Sequence, residues 1–464
     1  MGFVNRVEEL AALEEWWARP SPRPALIWGR RRVGKTALIR RFAESRRYVF
    51  YTGAGSAPAF ELAQFSREVA AALPGGLRQL DVSPYRDWYD AFEHLAAQAE
   101  REPLLLVLDE FPELTAMSPD LPGIMRSILD RIQGRTNLRI LLSGSSVRAM
   151  WEMQEYRAPL YGRFDLALQL HPFRPHEAAL MLPRLSAEDR ATVYGIVGGV
   201  PLYLSMWDQD ESIEANLRRL AVRPSAPLYN EGRLILATEL GTGHQPSAVL
   251  DALASGRTRF QEIADAVGTD PTRTLERLIE LRLVERLIPV TEDERRTKRK
   301  IYRIADNFLS FYLGPLMRNR SRIEIGLGET ILPVILQGLD DHMGDRYEEA
   351  FRDHLRRRAP EIDPQVVAVG PWWEADRQNQ IDAVVLRGRA REPVLVGEAK
   401  WARSVSARRL VGKLSEKAAR LVPDPERLRY AVCARTEVTN ADAGVMAITA
   451  ADVFAPETSD VSVR

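Results

Sequence analysis

The sequence predicts a multidomain α/β protein whose first domain is a doubly wound parallel sheet. Three observations carry this expectation. The runs Ala25–Trp28, Leu104–Leu108 and Leu138–Leu142 are continuously apolar, as strands buried on both faces must be. Helical periodicity separates them. Each run gives way at its C-terminal end to glycine, acidic or small polar residues, where open α/β sheets hold their ligands.

The segment after the first run reads Gly29-Arg30-Arg31-Arg32-Val33-Gly34-Lys35-Thr36. It fits the pattern G-x-x-x-x-G-K-[ST] without a mismatch, between a strand and a helix from Ala37 to Phe42. The glycines let backbone N–H groups wrap a phosphate, and the helix N-terminus adds a favourable dipole. Lys35 would reach the β and γ phosphates, and the Thr36 hydroxyl would ligate Mg²⁺. ATP and Mg²⁺ are therefore the expected ligands. The second run ends in Asp109-Glu110. Asp109 would hold Mg²⁺, and Glu110 would orient or deprotonate the attacking water. Without the phosphate loop, the same two residues would read as a solvated acidic turn. The third run ends in Ser143-Gly144-Ser145-Ser146, small polar residues that would contact the γ-phosphate or the attacking water, Ser143 first among them, or would form an ordinary turn. Arg163, in Tyr161-Gly162-Arg163, is a candidate for stabilising transition-state charge in cis or in trans; a surface arginine is the alternative.

At 464 residues the chain is too long for one core, and roughly two to four domains are expected. Lys plus Arg total 64 and Asp plus Glu total 64, so bulk charge does not advertise a nucleic-acid partner and any such contact needs a local patch. The one cysteine, Cys433, excludes an intrachain disulfide and fits a reducing cytosol, hence a cytoplasmic expectation. No apolar run approaches the roughly 20 residues that span a bilayer, so no membrane partner is expected. The six histidines show no zinc spacing.

Asn5-Arg6-Val7-Glu8 reads as a capping box, with Asn5 at the N-cap and Glu8 at N3. The following helix carries Leu10, Leu13, Trp16 and Trp17, a face that would cover an adenine base or pack structurally. Residues 60–100 are helical, with turn signals at Pro74-Gly75-Gly76 and Ser83-Pro84. Arg174 to Ala221 is helical around Gly198-Gly199-Val200-Pro201 and reads as a lid.

A new pattern follows. Phe260, Ile263, Ala264 and Val267 share a helical face, Gly268 ends that helix, and Asp270-Pro271 starts another. Val284–Val290 and Lys300–Ile304 read as two strands around a charged tip with Arg295, Arg296, Lys298, Arg299 and Lys300. Helix, turn, helix and two-stranded wing is a winged-helix order, suited to DNA phosphate or to joining domains.

In the last third, Gln380–Leu386 reads as a strand bearing Asp382. A second begins at Pro393 and ends Gly397-Glu398-Ala399-Lys400-Trp401. Alternation puts Glu398 and Lys400 on one face, where Asp382 meets them if the strands pair. Two carboxylates suit a hard cation such as Mg²⁺, and the lysine would stabilise an oxyanion. Glu348, on a helix with Tyr347, Phe351 and Leu355, is a further candidate ligand. A solvated sheet edge is the competing reading.

These residues together resemble a known family. Phe3-Val4-Asn5-Arg6, the GRRRVGKT loop, Leu108-Asp109-Glu110, Ser143-Gly144-Ser145, Leu160-Tyr161-Gly162-Arg163 and Gly198-Gly199-Val200-Pro201 are similar to the archaeal-type ATPases of the STAND branch of AAA+-like proteins. Some members carry a winged helix and a domain similar to PD-(D/E)XK nucleases. Gly370-Pro371-Trp372-Trp373, Ile381-Asp382 and Gly397–Trp401 resemble that domain, with Pro371 where an arginine is expected. The resemblance implies a P-loop ATPase domain with helical lid at 1–225, a winged helix at 226–315, a linker at 316–335 and a restriction-endonuclease-like domain at 336–464. It implies ATP-coupled, Mg²⁺-dependent DNA cleavage; the alternative is a non-cleaving switch that binds DNA or a protein. Self-assembly into a homo-oligomer stays open with the role of Arg163.

Overall fold

The computed structural model describes residues 3–74, 78–132, 134–240, 244–375 and 377–457. Of the turn expected at Pro74-Gly75-Gly76, Gly75 and Gly76 lie outside the described residues. The chain divides after His171 into two compact units.

The first unit is built on five strands: β1 (Ala25–Trp28), β2 (Tyr48–Thr52), β3 (Leu104–Asp109), β4 (Leu138–Gly144) and β5 (Leu166–Gln169). Their order is β2-β3-β4-β1-β5 and every pairing is parallel. The doubly wound expectation therefore holds for this unit. The three strands legible as apolar runs are the three central ones; β3 and β4 are buried along their whole length. One face is sealed by Leu13 and Trp16 of the helix Val7–Ala18 and by Leu38, Ile39 and Phe42 of the helix Lys35–Ala43, packed on Ile27, Leu105 and Val107. The apolar face of the first helix is thus core, and Trp16 Nε1 donates to Arg23 O at 2.8 Å.

The expected capping box at Asn5 is absent. The helix starts at Val7, and Arg6 stands at the cap position in left-handed backbone (φ 66°) without a side-chain cap bond. Arg6 is buried instead. Its guanidinium donates to Val33 O at 3.0 Å and His171 O at 2.6 Å, and pairs with Glu9 at 2.8 Å. These anchors fix the chain's entry more strongly than a cap bond on the surface would.

The second unit begins with helices Pro175–Met181, Ala187–Val197, Pro201–Met206 and Ile213–Leu220. The segment expected as a lid of the first domain thus belongs to this unit. Helices His244–Ala254, Phe260–Val267 and Thr272–Glu280 follow, then the antiparallel pair β6 (Val284–Leu287) and β7 (Ile301–Ile304). Gly268 caps its helix in left-handed conformation (φ 74°). The next helix starts at Thr272 with Pro271 in the cap position, one residue later than expected, and the Asp270 carboxylate accepts from Thr272 N at 2.8 Å. Strand β6 ends at Leu287 because Pro289 breaks the run and Val290 turns outward to another sheet. Residues 316–335, expected as a linker, are largely helical (Arg320–Glu324 and Gly328–Gln337), with Ile323, Ile331 and Leu332 buried.

The last sheet holds β8 (Val366–Trp373), β9 (Gln380–Arg387), β10 (Glu392–Lys400), β12 (Arg429–Ala434) and β14 (Val445–Thr449), in the order β14-β12-β10-β9-β8. Strands β11 (Ser404–Ser406) and β13 (Glu437–Thr439) form a separate parallel pair. β8, β9 and β10 are antiparallel neighbours, whereas β10, β12 and β14 run parallel. The helix Leu339–Arg357 covers one face through Tyr347, Phe351 and Leu355. The helix Ala407–Ala418 covers the other through Leu414 and Ala418. The hairpin is tied to this sheet. Val290 N donates to Pro371 O at 2.8 Å, and Arg299 Nη1 donates to Trp373 O at 2.8 Å. Arg303 of β7 pairs with Glu285 and, at 2.8 Å, with Glu349 of the covering helix.

Burial pushes His176, His342 and His354, all in the second unit, down to about 4 from the ordinary 6.5. The unfolded chain takes up protons between these values that the folded chain refuses. The histidines' contribution to stability is therefore complete above about pH 6.5 and is lost as pH falls toward 4. The acid limb of a plot of Tm against pH, between about 6.5 and 4, should carry this loss. Replacing the three histidines by glutamine should flatten the acid limb; an unchanged limb would assign it to other groups.

Candidate functional site

The phosphate loop joins the C-terminal end of β1 to the helix Lys35–Ala43. Gly29 runs so close to β5 that a Cβ there would lie 2.4 Å from Leu170 O. Gly34 turns into the helix at φ 94°, which favours glycine. Val33 is buried, Arg30 is half-buried, and Arg31 and Arg32 are exposed. Lys35 is buried at 6% exposure, with Nζ 2.8 Å from Gly29 O and 3.2 Å from Arg30 O. The ammonium lies folded along the loop it would share with a phosphate.

Register brings the acidic and serine residues alongside. Ile27 pairs with Ser143, and Leu108 with Leu142, so Asp109 and Ser143 end adjacent strands at one level. Ser143 Oγ donates to Asp109 Oδ1 at 2.7 Å, and Thr36 Oγ1 donates to Asp109 Oδ2 at 3.1 Å. The Thr36 and Asp109 oxygens converge, as the donor set for a hard cation with water in its remaining positions should. Glu110 follows in left-handed backbone (φ 49°). Its Oε2 accepts from Ser145 N at 3.0 Å and Ser145 Oγ at 2.8 Å. Ser143 thus sits on the Asp109 carboxylate. Ser145, expected only as one of the small polar residues at this strand tip, fixes Glu110.

Arg163 lies elsewhere. It pairs with Asp130 at 2.9 Å, and with Pro24, Leu138 and Gly162 it lines a cavity of about 160 Å³. Pro24 and Leu138 stand at the N-terminal ends of β1 and β4. Arg163 is therefore at the opposite end of the sheet from the phosphate loop. The physical reason is its position three residues before β5, which starts at that same end.

In the second unit, Asp382 and Glu398 lie one residue beyond the paired residues Ala383 and Gly397 of β9 and β10. Lys400 Nζ is 2.9 Å from Glu398 Oε1 and 3.8 Å from Asp382 Oδ2. Asp382 Oδ2 also accepts from Ala399 N at 2.9 Å. Lys417, from the helix Ala407–Ala418, reaches Glu398 Oε2 at 2.7 Å. Burial, opposed by Lys400, raises the Asp382 pKa. Burial works against the Glu398 charge, but Lys417 and Lys400 hold its pKa below the usual range. Burial and then the Asp382 charge push Glu348 up to about 8. The structure thus brings Asp382, Glu398 and Lys400 together with Glu348 nearby. The partner missed in the sequence is Lys417, which no motif spacing marks. As folded, the cluster does not fit a divalent cation. Both Glu398 oxygens are taken by ammoniums, and among the described residues no three His, Cys, Asp or Glu side chains are grouped to hold a metal.

Of the five basic wing residues, Arg299 turns inward to Glu292 and Trp373, while Arg295, Arg296 and Lys298 are exposed and Lys300 half-buried. Among the described residues no helix is long and apolar enough to cross a membrane.

Comparison with known proteins agrees with the first unit's geometry. A family model for an ATPase domain predominantly from Archaea matches residues 3–207. A second, for archaeal and bacterial proteins of unknown function, matches residues 312–418. An uncharacterized protein of Methanocaldococcus jannaschii is 27% identical over 410 residues, covering 86% of this chain and 87% of that one. An uncharacterized ATP-binding protein of the same organism is 49% identical over 45 residues, 10% of this chain and 76% of the relative. The Walker-type ATPase of Pyrococcus abyssi has a similar fold, with TM-score 0.52 and 21% identity over 67% of this chain and 96% of that one. The phosphate loop, its two acidic partners and the sheet that aligns them, together with the family match over residues 3–207, support a P-loop ATPase domain in this chain.

Proposed function

We propose that this ATPase couples nucleotide state to DNA engagement, and that the Asp382–Glu398–Lys400 cluster is a centre for phosphodiester cleavage. The observation that carries the second part is the meeting of a buried carboxylate, a half-buried one and an ammonium at one end of β9 and β10. The three helices and hairpin are read as a winged helix, whose exposed Arg295, Arg296 and Lys298 suit DNA phosphates. The hairpin is bonded to β8, the neighbour of the strand that bears Asp382. DNA held at the wing would lie against the unit that carries the cluster. Lys400 would then meet the charge developing on a phosphoryl oxygen.

In the nucleotide site, loop N–H groups and Lys35 would neutralise the phosphates, and Thr36 and Asp109 would hold Mg²⁺, which adds further charge neutralisation when bound. Glu110 orients the attacking water. Both Ser145 bonds fall on Oε2, which leaves Oε1 to face that water. Arg163 would serve a neighbouring copy, since its place at the far end of the sheet keeps it from its own phosphate loop.

The second reading is a switch that binds DNA or a protein without cutting. The paired lysines favour it, because they balance the carboxylates with no metal present.

Glu110→Gln should keep ATP affinity and lose turnover, because the phosphate cradle is untouched. Ser145→Ala should lower kcat roughly 10-fold with KM within about twofold, the pattern of a group that positions the base. A raised KM at normal kcat would place Ser145 in ground-state binding instead.

Specific ATPase activity should rise with protein concentration in the wild type and stay low at all concentrations in Arg163→Ala. A rate independent of concentration in both would remove Arg163 from catalysis.

Linear and circular DNA incubated with ATP and Mg²⁺ or Mn²⁺ should be cut by the wild type and left intact by Asp382→Ala, with ATP hydrolysis preserved in the variant. Uncut DNA under every condition, with DNA binding retained, would select the switch.

A further inference from the structure

Glu398 is held from two sides. Lys400, two residues along the same strand, takes Oε1 at 2.9 Å. Lys417, from a different element, takes Oε2 at 2.7 Å. The backbone of Lys417 is fixed, since Leu414 and Ala418 of its helix are fully buried against Val384, Leu386 and Val396. The side chain itself keeps 26% of its surface, so the ammonium has a route to water. Glu398 keeps 7% and Asp382 13%.

A hard divalent cation needs carboxylate oxygens at about 2.0–2.6 Å. The lone pairs that would supply them on Glu398 already accept from ammoniums. Charge leads to the same conclusion. Two ammoniums already stand against the two carboxylates, Lys400 against both Asp382 and Glu398 and Lys417 against Glu398. A divalent ion added while both ammoniums stayed would leave an uncompensated surplus in a site with little solvent. One ammonium must leave. Lys400 is on the same short strand as Glu398 and also faces Asp382, whereas Lys417 touches the cluster only through Glu398 Oε2.

We propose that Lys417 is a built-in counter-cation that closes the carboxylate site, and that a divalent cation enters only when the Lys417 ammonium swings off Glu398. This rests on reading the cluster as a cation site. It makes Lys417 a positioning residue that sets when the site is competent. Any ligand that draws the ammonium away, such as a nucleic-acid phosphate, would open the site to metal.

The test is calorimetric titration of the full chain with MnCl₂, without nucleotide. It compares wild type, Lys417→Met, Lys417→Gln and Lys417→Arg, each first checked by its melting curve. Met and Gln remove the charge by different chemistry, so the test survives if one of them fails to fold. The neutral variants should bind Mn²⁺ about 10- to 100-fold more tightly than wild type, the equilibrium worth of one charge-assisted hydrogen bond. Lys417→Arg should stay within about threefold of wild type, because it keeps the charge. Asp382→Asn added to Lys417→Met should abolish the gain. Equal affinity in the wild type and neutral variants would overturn the proposal while leaving the cation-site reading intact. A gain that survives Asp382→Asn would place the extra ion elsewhere and also overturn it. No Mn²⁺ binding assignable to Asp382 in any variant would sink the cation-site reading itself, and the proposal with it.

Discussion

The carboxylate of Asp109 accepts one hydrogen bond from Thr36 and another from Ser143. Those donors arrive from different elements, the helix after the phosphate loop and the end of β4. A single buried acid thus fixes the relative height of three neighbouring segments. Burying a carboxylate is costly unless its lone pairs are met, and here both oxygens are. The order of the sheet is compatible with this need. β4 lies between β1 and β3, so its serines stand beside both the loop and the acidic pair. Ser145 repeats the device one step outward by holding Glu110.

The parts of this arrangement that were legible in the sequence share one property. β1, β3 and β4 are central strands, buried on both faces, and such burial writes an uninterrupted apolar run. The edge strand β2, Tyr48–Thr52, is only partly buried and alternates; β5 is shorter and half-exposed. Neither stood out. The phosphate loop was legible because its chemistry demands fixed spacing, whereas Arg6 was not. Nothing local says that an arginine before a helix will be buried against Val33 and His171, the latter 165 positions away. Arg163 was recognised as a residue of interest but its place was not, since sequence alone does not say at which end of the sheet it lies.

The second unit divides the same way. Alternation along β10 gave the shared face of Glu398 and Lys400, and pairing with β9 supplied Asp382. Lys417 comes from a helix whose burial pattern speaks of Ala407, Leu414 and Ala418. Its role depends on how that helix is rotated against the sheet, which is a matter of packing. The wing is similar. Its charges were evident, but the inward turn of Arg299 depends on a carbonyl at Trp373, 74 residues on.

Pro371 has a consequence beyond its place in a motif. It lies in β8, the outer strand of the mixed sheet, and carries no N–H. Its carbonyl is already used by Val290. A foreign strand seeking to extend the sheet would find a missing donor and an occupied acceptor at the same residue. Open edges of this kind are where crowded chains exchange strands or begin to aggregate. By spending one residue of its own hairpin there, the chain finishes its sheet from within, and copies held at high local concentration have no ladder on that side to continue.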